Sequence, residues 1–217
     1  MLSPDRISVL FADDEALAPG IEAAWLAELP VPRRRQLEAM PDASERRRSL
    51  IASRLLLRGL RQILGDPGAD LASLRYGKDG APGLDLPVRF AVSHCPGRVV
   101  CALSLHTSLG VDVEPLDDAA PGRTGLYLSA EERAAAGEDP RRLLGLWTRK
   151  EAVAKAAGRR GLRVLGQISV LSDQAECAGQ VWHLAPLDLG PGFVAHLACA
   201  AARPLVEVRS HSAESLR

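Results

Sequence analysis

Three acidic residues and one lysine stand out by type and spacing. In Gly110-Val111-Asp112-Val113-Glu114 two carboxylates alternate with two valines. On a β-strand Asp112 and Glu114 project from one face, while the valines anchor the other face in a core. In the stretch from Trp147 to Lys155, residues Trp147, Glu151 and Lys155 step by four, so they stack along one side of a helix. Two carboxylates a strand step apart repel each other, and a hard divalent cation taking oxygen ligands at ~2.1 Å resolves that conflict. Glu151 is the candidate third ligand. The plainer readings are a solvated strand face for Asp112 and Glu114, and a surface ion pair of about 0.3–0.5 kcal/mol between Glu151 and Lys155.

The remaining candidates suit an anion. Ser93-His94 follows the apolar run Val88 to Val92 and precedes Pro96-Gly97, which puts both side chains at a strand end beside a tight turn. An imidazole there could donate to a phosphate oxygen. No Gly-x-Ser-x-Gly elbow accompanies the pair, so a hydrolase triad is not indicated. Arg46, Arg47 and Arg48 open a helix, where free N–H groups favour an anion and guanidinium groups can clamp phosphate; a solvated charge run is the alternative. Lys78 lies in the glycine-rich turn from Tyr76 to Gly83, whose backbone can approach a ligand closely.

The elements that must hold these residues are legible in outline. The run from Ile7 to Phe11 predicts a first strand, followed by short helices over Ile21 to Leu29 and Arg33 to Met40. The longest helical pattern runs from Ala43 to Leu64, with Asp42 or Ser44 as cap and Gly65-Asp66-Pro67-Gly68 as stop. Val88 to Val92, Val99 to Leu105 and Leu109 to Val113 predict strands joined closely enough to form antiparallel hairpins. Ser129-Ala130-Glu131-Glu132 matches a capping box. Asp139-Pro140 and Gly158 bracket the helix that carries Glu151. Strands are expected at Val164 to Leu171, Val181 to Leu184, Phe193 to Ala202 and Val206 to Val208, and the tail from Ser210 is expected to fray. The order strand, helices, strands occurs twice, which predicts two similar α+β halves, residues 1–108 and 109–217, with a ligand site between them.

Composition narrows the class. Apolar residues make up 47% of 217 residues, enough for a real core. Lysine plus arginine equals aspartate plus glutamate at 27 each, so no net field draws the chain to nucleic acid or an anionic membrane. A signal peptide and a membrane-spanning run are both missing from the pattern, making the cytoplasm the expected location. Cys95, Cys101, Cys177 and Cys199 form no CxxC pair and read as buried free thiols.

Four motifs in order, Tyr76-Gly77-Lys78 with Pro82 nearby, Val92-Ser93-His94, Gly110 to Glu114, and Trp147-Thr148-Arg149-Lys150-Glu151 continuing to Lys155, resemble the 4′-phosphopantetheinyl transferase family. The likeness is to its longer, monomeric, surfactin-synthetase-activating branch and runs from about residue 5 to 205. It implies a pseudo-dimer of two α+β halves, the first carrying coenzyme A-binding loops and the second the metal site and catalytic helix. The implied reaction moves the phosphopantetheine arm of coenzyme A to a serine of an acyl- or peptidyl-carrier protein, as in secondary metabolite biosynthesis, and releases adenosine 3′,5′-bisphosphate. By the same resemblance Asp112, Glu114 and Glu151 would hold magnesium, or manganese in its place. Lys155, His94 and Ser93 would meet the phosphates, and Arg46, Arg47 and Lys78 the 3′-phosphoadenosine end. Glu151, Lys155 and His94 would be the catalytic set, with Glu151 the better proton acceptor. Ala91 stands where the family often has Asn, and Lys78 is separated from its proline by three residues. The alternatives are a homologue that binds coenzyme A or carrier without turnover, and another magnesium phosphotransferase or nuclease. Zero net charge and 4% aromatic residues speak against a nuclease.

Overall fold

The structure is a computed structural model and describes residues 5–77, 82–116 and 126–216. In chain order its elements are β1 (Arg6–Asp13), α1 (Pro19–Glu28), α2 (Val31–Glu38), α3 (Ala43–Leu64), β2 (Arg75–Tyr76), β3 (Pro82–Gly83), β4 (Arg89–Cys95), β5 (Arg98–Ser104) and β6 (Leu109–Pro115). There follow α4 (Ala130–Ala136), α5 (Pro140–Ala156), α6 (Leu162–Leu165), β7 (Gln174–Cys177), β8 (Gln180–Pro186), β9 (Phe193–Cys199), β10 (Leu205–His211) and a final 3₁₀ turn, Glu214–Leu216. No helix among the described residues is long and apolar enough to cross a membrane.

The fold is mixed α+β, with two four-stranded sheets in the orders β10-β1-β5-β4 and β6-β9-β8-β7. Side-chain alternation explains their stacking. In β1, Ile7 and Val9 face one core while Leu10 and Ala12 face another; in β5, Val100 and Ala102 oppose Val99, Cys101 and Leu103. Both strands are apolar on both faces, so the sheet must be covered twice. One face lies under α3 through Leu50, Leu55 and Leu60. The other meets Val111, Val113, Ala195 and Leu197 of the second sheet. The far face of the second sheet is covered by α5, with Ala152 and Val153 against Trp182, Leu184 and Ala198.

The long helices begin and end where their sequence signals lie. Asp42 Oδ1 accepts from Glu45 N at 2.8 Å, and Gly65 follows α3 at φ 63°. Asp139 accepts from Arg141 N and Arg142 N at the start of α5, while Ser129 and Glu132 complete the capping box of α4. At the β4–β5 turn the Arg98 guanidinium stacks between the rings of Phe11 and Phe193, 5.0 and 4.4 Å from their centroids. A cation shared by two rings ties the first sheet to the second.

Several expectations are corrected. The β4–β5 hairpin forms, but β6 does not continue it: β6 pairs with β9, and the chain changes sheets across residues 105–108. Residues 164–171 are not a strand. They form α6 and a loop whose apolar side chains, Leu165, Ile168 and Val170, are buried, because a buried ion pair takes the backbone groups a ladder would need. Lys150 Nζ donates to the carbonyls of Leu165 and Ile168, and Glu132 Oε1 accepts from Val170 N. The tail is also docked, since β10 extends to His211 and Arg54 donates to the Leu216 carbonyl from Nε and Nη2 at 3.1 and 2.8 Å.

Candidate functional site

The site forms where β6 and β4, the edge strands of the two sheets, lie beside each other under the C-terminal half of α5. Gly110 brings the helix down onto β6: a Cβ there would stand 2.2 Å from the Ala152 carbonyl oxygen and 2.5 Å from Ala156 N. Only glycine allows that approach.

Lys155 then reaches past β6. Its ammonium lies 2.6 Å from Asp112 Oδ1, 3.0 Å from Ser93 Oγ and 3.2 Å from the Val111 carbonyl oxygen. Ser93 donates to the same Asp112 oxygen at 2.8 Å. The other oxygen, Oδ2, is buried with no hydrogen-bond partner. At the other end of the face, Trp147 Nε1 donates to Glu114 Oε1 at 3.1 Å, and the indole is set by an edge-on contact with Tyr127, centroids 4.9 Å apart. Glu151 lies between these contacts. Burial first, and then the negative charge of Asp112, raise its carboxyl pKa above the usual range, against Lys155 and Arg160, which lower it. The structure therefore brings Asp112, Ser93 and Lys155 into direct contact, and Glu151 into electrostatic range of Asp112. Among the described residues no group of three or more His, Cys, Asp or Glu side chains is gathered closely enough to hold a metal ion.

Beside this cluster opens a cleft of about 290 Å³ between α2, α3, β4 and the end of α5. Its ionisable lining is basic or phenolic: Arg33, His94, Lys155, Arg159, Arg160 and Tyr76, with no carboxylate among the described residues. Leu56, Leu74 and Phe90 supply an apolar wall. Arg33 is buried and fixed by Ser53 Oγ at 3.1 Å, the Ser49 carbonyl at 3.0 Å and Gln36 Oε1 at 2.8 Å, with its guanidinium 5.5 Å from the Tyr76 ring centroid. His94 is half-buried, and its pKa is lowered by burial, then by the positive charges of Arg48 and Lys155, against the opposite pull of Glu45. It faces the cleft as a neutral ring near pH 7.

Other residues named from the sequence lie elsewhere. Arg47 Nε bonds Asp14 Oδ1 at 2.7 Å, Arg48 bonds Asp14 Oδ2 at 3.2 Å, and Arg46 pairs with Glu22 at 3.8 Å; Arg46 and Arg47 are not part of the cleft lining. Lys78 lies outside the described residues. Ala91 lines the cleft without a polar group. Lys150, within the same motif as Glu151, turns away into the interior and pairs with Glu132 at 2.9 Å, both fully buried.

Sequence reasoning missed Arg33, Arg159, Arg160 and Asp14. Arg159-Arg160 carried a usable signal, a basic pair directly after the glycine that ends the Lys155 helix. Arg33 and Asp14 gave none, because their partners are 20 and 33 residues away. The face of α5 also carries a further contact to the sheet: Thr148 Oγ1 lies 2.8 Å from His196 Nδ1 on β9. Burial, then the charge of Arg149, lowers the His196 pKa from 6.5 to about 4, against a small opposing effect of Asp173.

With that geometry in place, residues 108–187, which include β6 and α5, match the family model of the 4′-phosphopantetheinyl transferase superfamily. It is also similar to the 4′-phosphopantetheinyl transferase gsp of Aneurinibacillus migulanus, with 29% identity over 117 residues, covering 52% of this chain and 48% of that protein. The chain thus spans about half the length of the curated relative it matches.

Proposed function

We propose that this protein transfers the 4′-phosphopantetheine arm of coenzyme A to a serine hydroxyl of an apo acyl- or peptidyl-carrier protein. The observation that carries the reading is a cleft lined by arginines, a histidine and Lys155, without a carboxylate among the described residues, opening beside the buried Asp112 carboxylate. A polyanionic ligand suits the first part and a divalent cation the second. On this reading the halves 1–108 and 109–217 form a pseudo-dimer with the site between them.

The donor chemistry suits a hard cation, although the three carboxylates are not gathered around one point among the described residues. Asp112 Oδ2 is a buried oxygen lacking a proton donor, and the Lys155 ammonium already sits as a positive charge on Oδ1. Asp112, Glu114 and Glu151 would hold magnesium or manganese. When bound, the ion would neutralise the pyrophosphate of coenzyme A.

The chain's own groups do the rest. The serine oxygen forms a bond to the phosphorus of the phosphopantetheine arm, while the bond from that phosphorus to the bridging oxygen breaks and adenosine 3′,5′-bisphosphate leaves. Lys155, released from Asp112 toward the phosphates, and His94 at the cleft wall stabilise the charge on the phosphoryl oxygens. The serine proton passes to Glu151 as general base. Arg33, Arg159 and Arg160 orient the anionic end of coenzyme A.

Incubation of an apo carrier with coenzyme A and magnesium, read by intact-protein mass spectrometry, tests this directly. A phosphopantetheine-sized gain that Glu151→Gln abolishes is expected. Binding of coenzyme A with no gain on any of a panel of fatty acid, polyketide and peptide carriers would instead leave a non-catalytic binding protein.

A further inference from the structure

We infer that His196 is a positioning residue for the acidic cluster: through Thr148 it fixes the rotation of α5 over β6 and β9, and thereby where Glu151 stands relative to Asp112. The inference rests on the reading of the cluster given under Proposed function.

Across β6 and β9, Asp112 is paired with His196, Glu114 with Val194 and Gly110 with Ala198. Residues directly opposite in an antiparallel pair share a face, so Asp112 and His196 both look up at α5. From the helix, Trp147 bonds Glu114, Lys155 bonds Asp112 and Thr148 bonds His196. The first two contacts are made to the carboxylates assigned to the cation and must be rearranged when it enters. The Thr148–His196 bond uses no proposed ligand and persists.

Height and rotation are thus set separately. The contact at Gly110 fixes how close α5 lies, but a close approach to a glycine does not stop a helix from rolling about its axis. The bond to β9, on the strand next to β6, does. It is also directional: Thr148 Oγ1 reaches the Leu144 and Gly145 carbonyls at 2.9 and 3.2 Å, and when its proton is given to one of them the 2.8 Å bond takes its proton from Nδ1 of His196, a residue only 9% exposed. A roll of about 10° at a side-chain radius of ~6 Å moves a carboxylate by ~1 Å, more than a cation with short oxygen bonds tolerates.

The test uses the full chain with coenzyme A but no carrier, so that nothing turns over, and follows Mn²⁺ binding by electron paramagnetic resonance. His196→Ala and the near-isosteric Thr148→Val are expected to weaken Mn²⁺ binding by about tenfold or more, with coenzyme A affinity changed less than about twofold. In turnover assays kcat falls while KM for coenzyme A holds. His196→Asn, whose amide nitrogen can replace Nδ1, restores both. Wild-type Mn²⁺ affinity in folded His196→Ala or Thr148→Val, or a parallel loss of Mn²⁺ and coenzyme A binding, overturns the inference. If the wild-type protein binds no Mn²⁺ with coenzyme A and modifies no carrier, the reading of the site itself fails and the inference falls with it.

Discussion

Lys155 Nζ lies 2.6 Å from Asp112 Oδ1, while Oδ2 of the same carboxylate is buried without a partner. One oxygen is neutralised by an ammonium that can swing away, and the other is left for a second positive charge. A buried carboxylate is costly unless paired, so a cation placed at Oδ2 would stabilise this corner.

Lys155→Met should therefore cost about 2–3 kcal/mol, somewhat less than a fully buried pair because the lysine is partly exposed, and should lower turnover by ~10²-fold or more. Millimolar magnesium is expected to raise the melting temperature of this variant more than that of the wild type, and chelation to reverse the effect. Equal magnesium responses in the two proteins would separate Asp112 from cation binding.

Gly110→Ala should destabilise by about 2–3 kcal/mol, because its Cβ would meet helix backbone, Ala152 O and Ala156 N. Gly59→Ala is the control. Its Cβ would stand 2.4 Å from Leu103 Cδ1, the end of a side chain, which can turn aside. Urea unfolding of the two variants should show the larger loss at Gly110.

His196 gives stability a pH dependence. Its folded pKa is lowered from 6.5 to about 4, so between those values the unfolded chain binds a proton that the folded chain does not. Stability from this group is complete above the unfolded value, falls by ~1.4 kcal/mol per pH unit on acidification through the window, and levels off below the folded value. His196→Asn keeps a donor for Thr148 and removes the titration, so its melting temperature should fall less steeply than that of the wild type on acidification from about pH 7 to about pH 4.5.

The thiols should be slow to react. Burial pushes Cys95 up to about 12, with Glu114 and Asp112 adding to it, and Cys199 up to about 11, while Cys101 is raised further by burial alone. Cys177 is half-buried. Thiol titration of the folded protein near pH 8 should find Cys177 first and the other three only on unfolding.

Arg160→Gln should raise KM for coenzyme A by roughly three- to tenfold with little change in stability, since the residue lines the cleft and is exposed. The effect should shrink at ~1 M salt, where the screening length falls to ~3 Å.

How far the sequence could be read depended on whether a signal was local. The bounds of α3 and α5 follow from Asp42, Gly65, Asp139 and Pro140, whose partners lie within a turn, and the valines of β6 announced which face is buried. That Trp147, Glu151 and Lys155 share a helix face was legible from their spacing of four, but that Lys155 meets Asp112 was not. The commitment of Arg47 and Arg48 to Asp14 was not, because neither spacing nor propensity shows which distant carboxylate a guanidinium will meet. The segment 164–171 misled for a related reason. Alternating apolar residues look alike whether they line a sheet or wrap a buried Lys150–Glu132 pair.

β10 hydrogen-bonds alongside β1 in parallel, although β6 to β9 of the other sheet separate the two in sequence. A fragment cut after residue 108 would leave the N–H and C=O groups of β1 open along that edge, an invitation to pair with another copy. Dissecting this protein into separately expressed pieces therefore requires Leu205–His211 to travel with the first piece, by circular permutation or by co-expression.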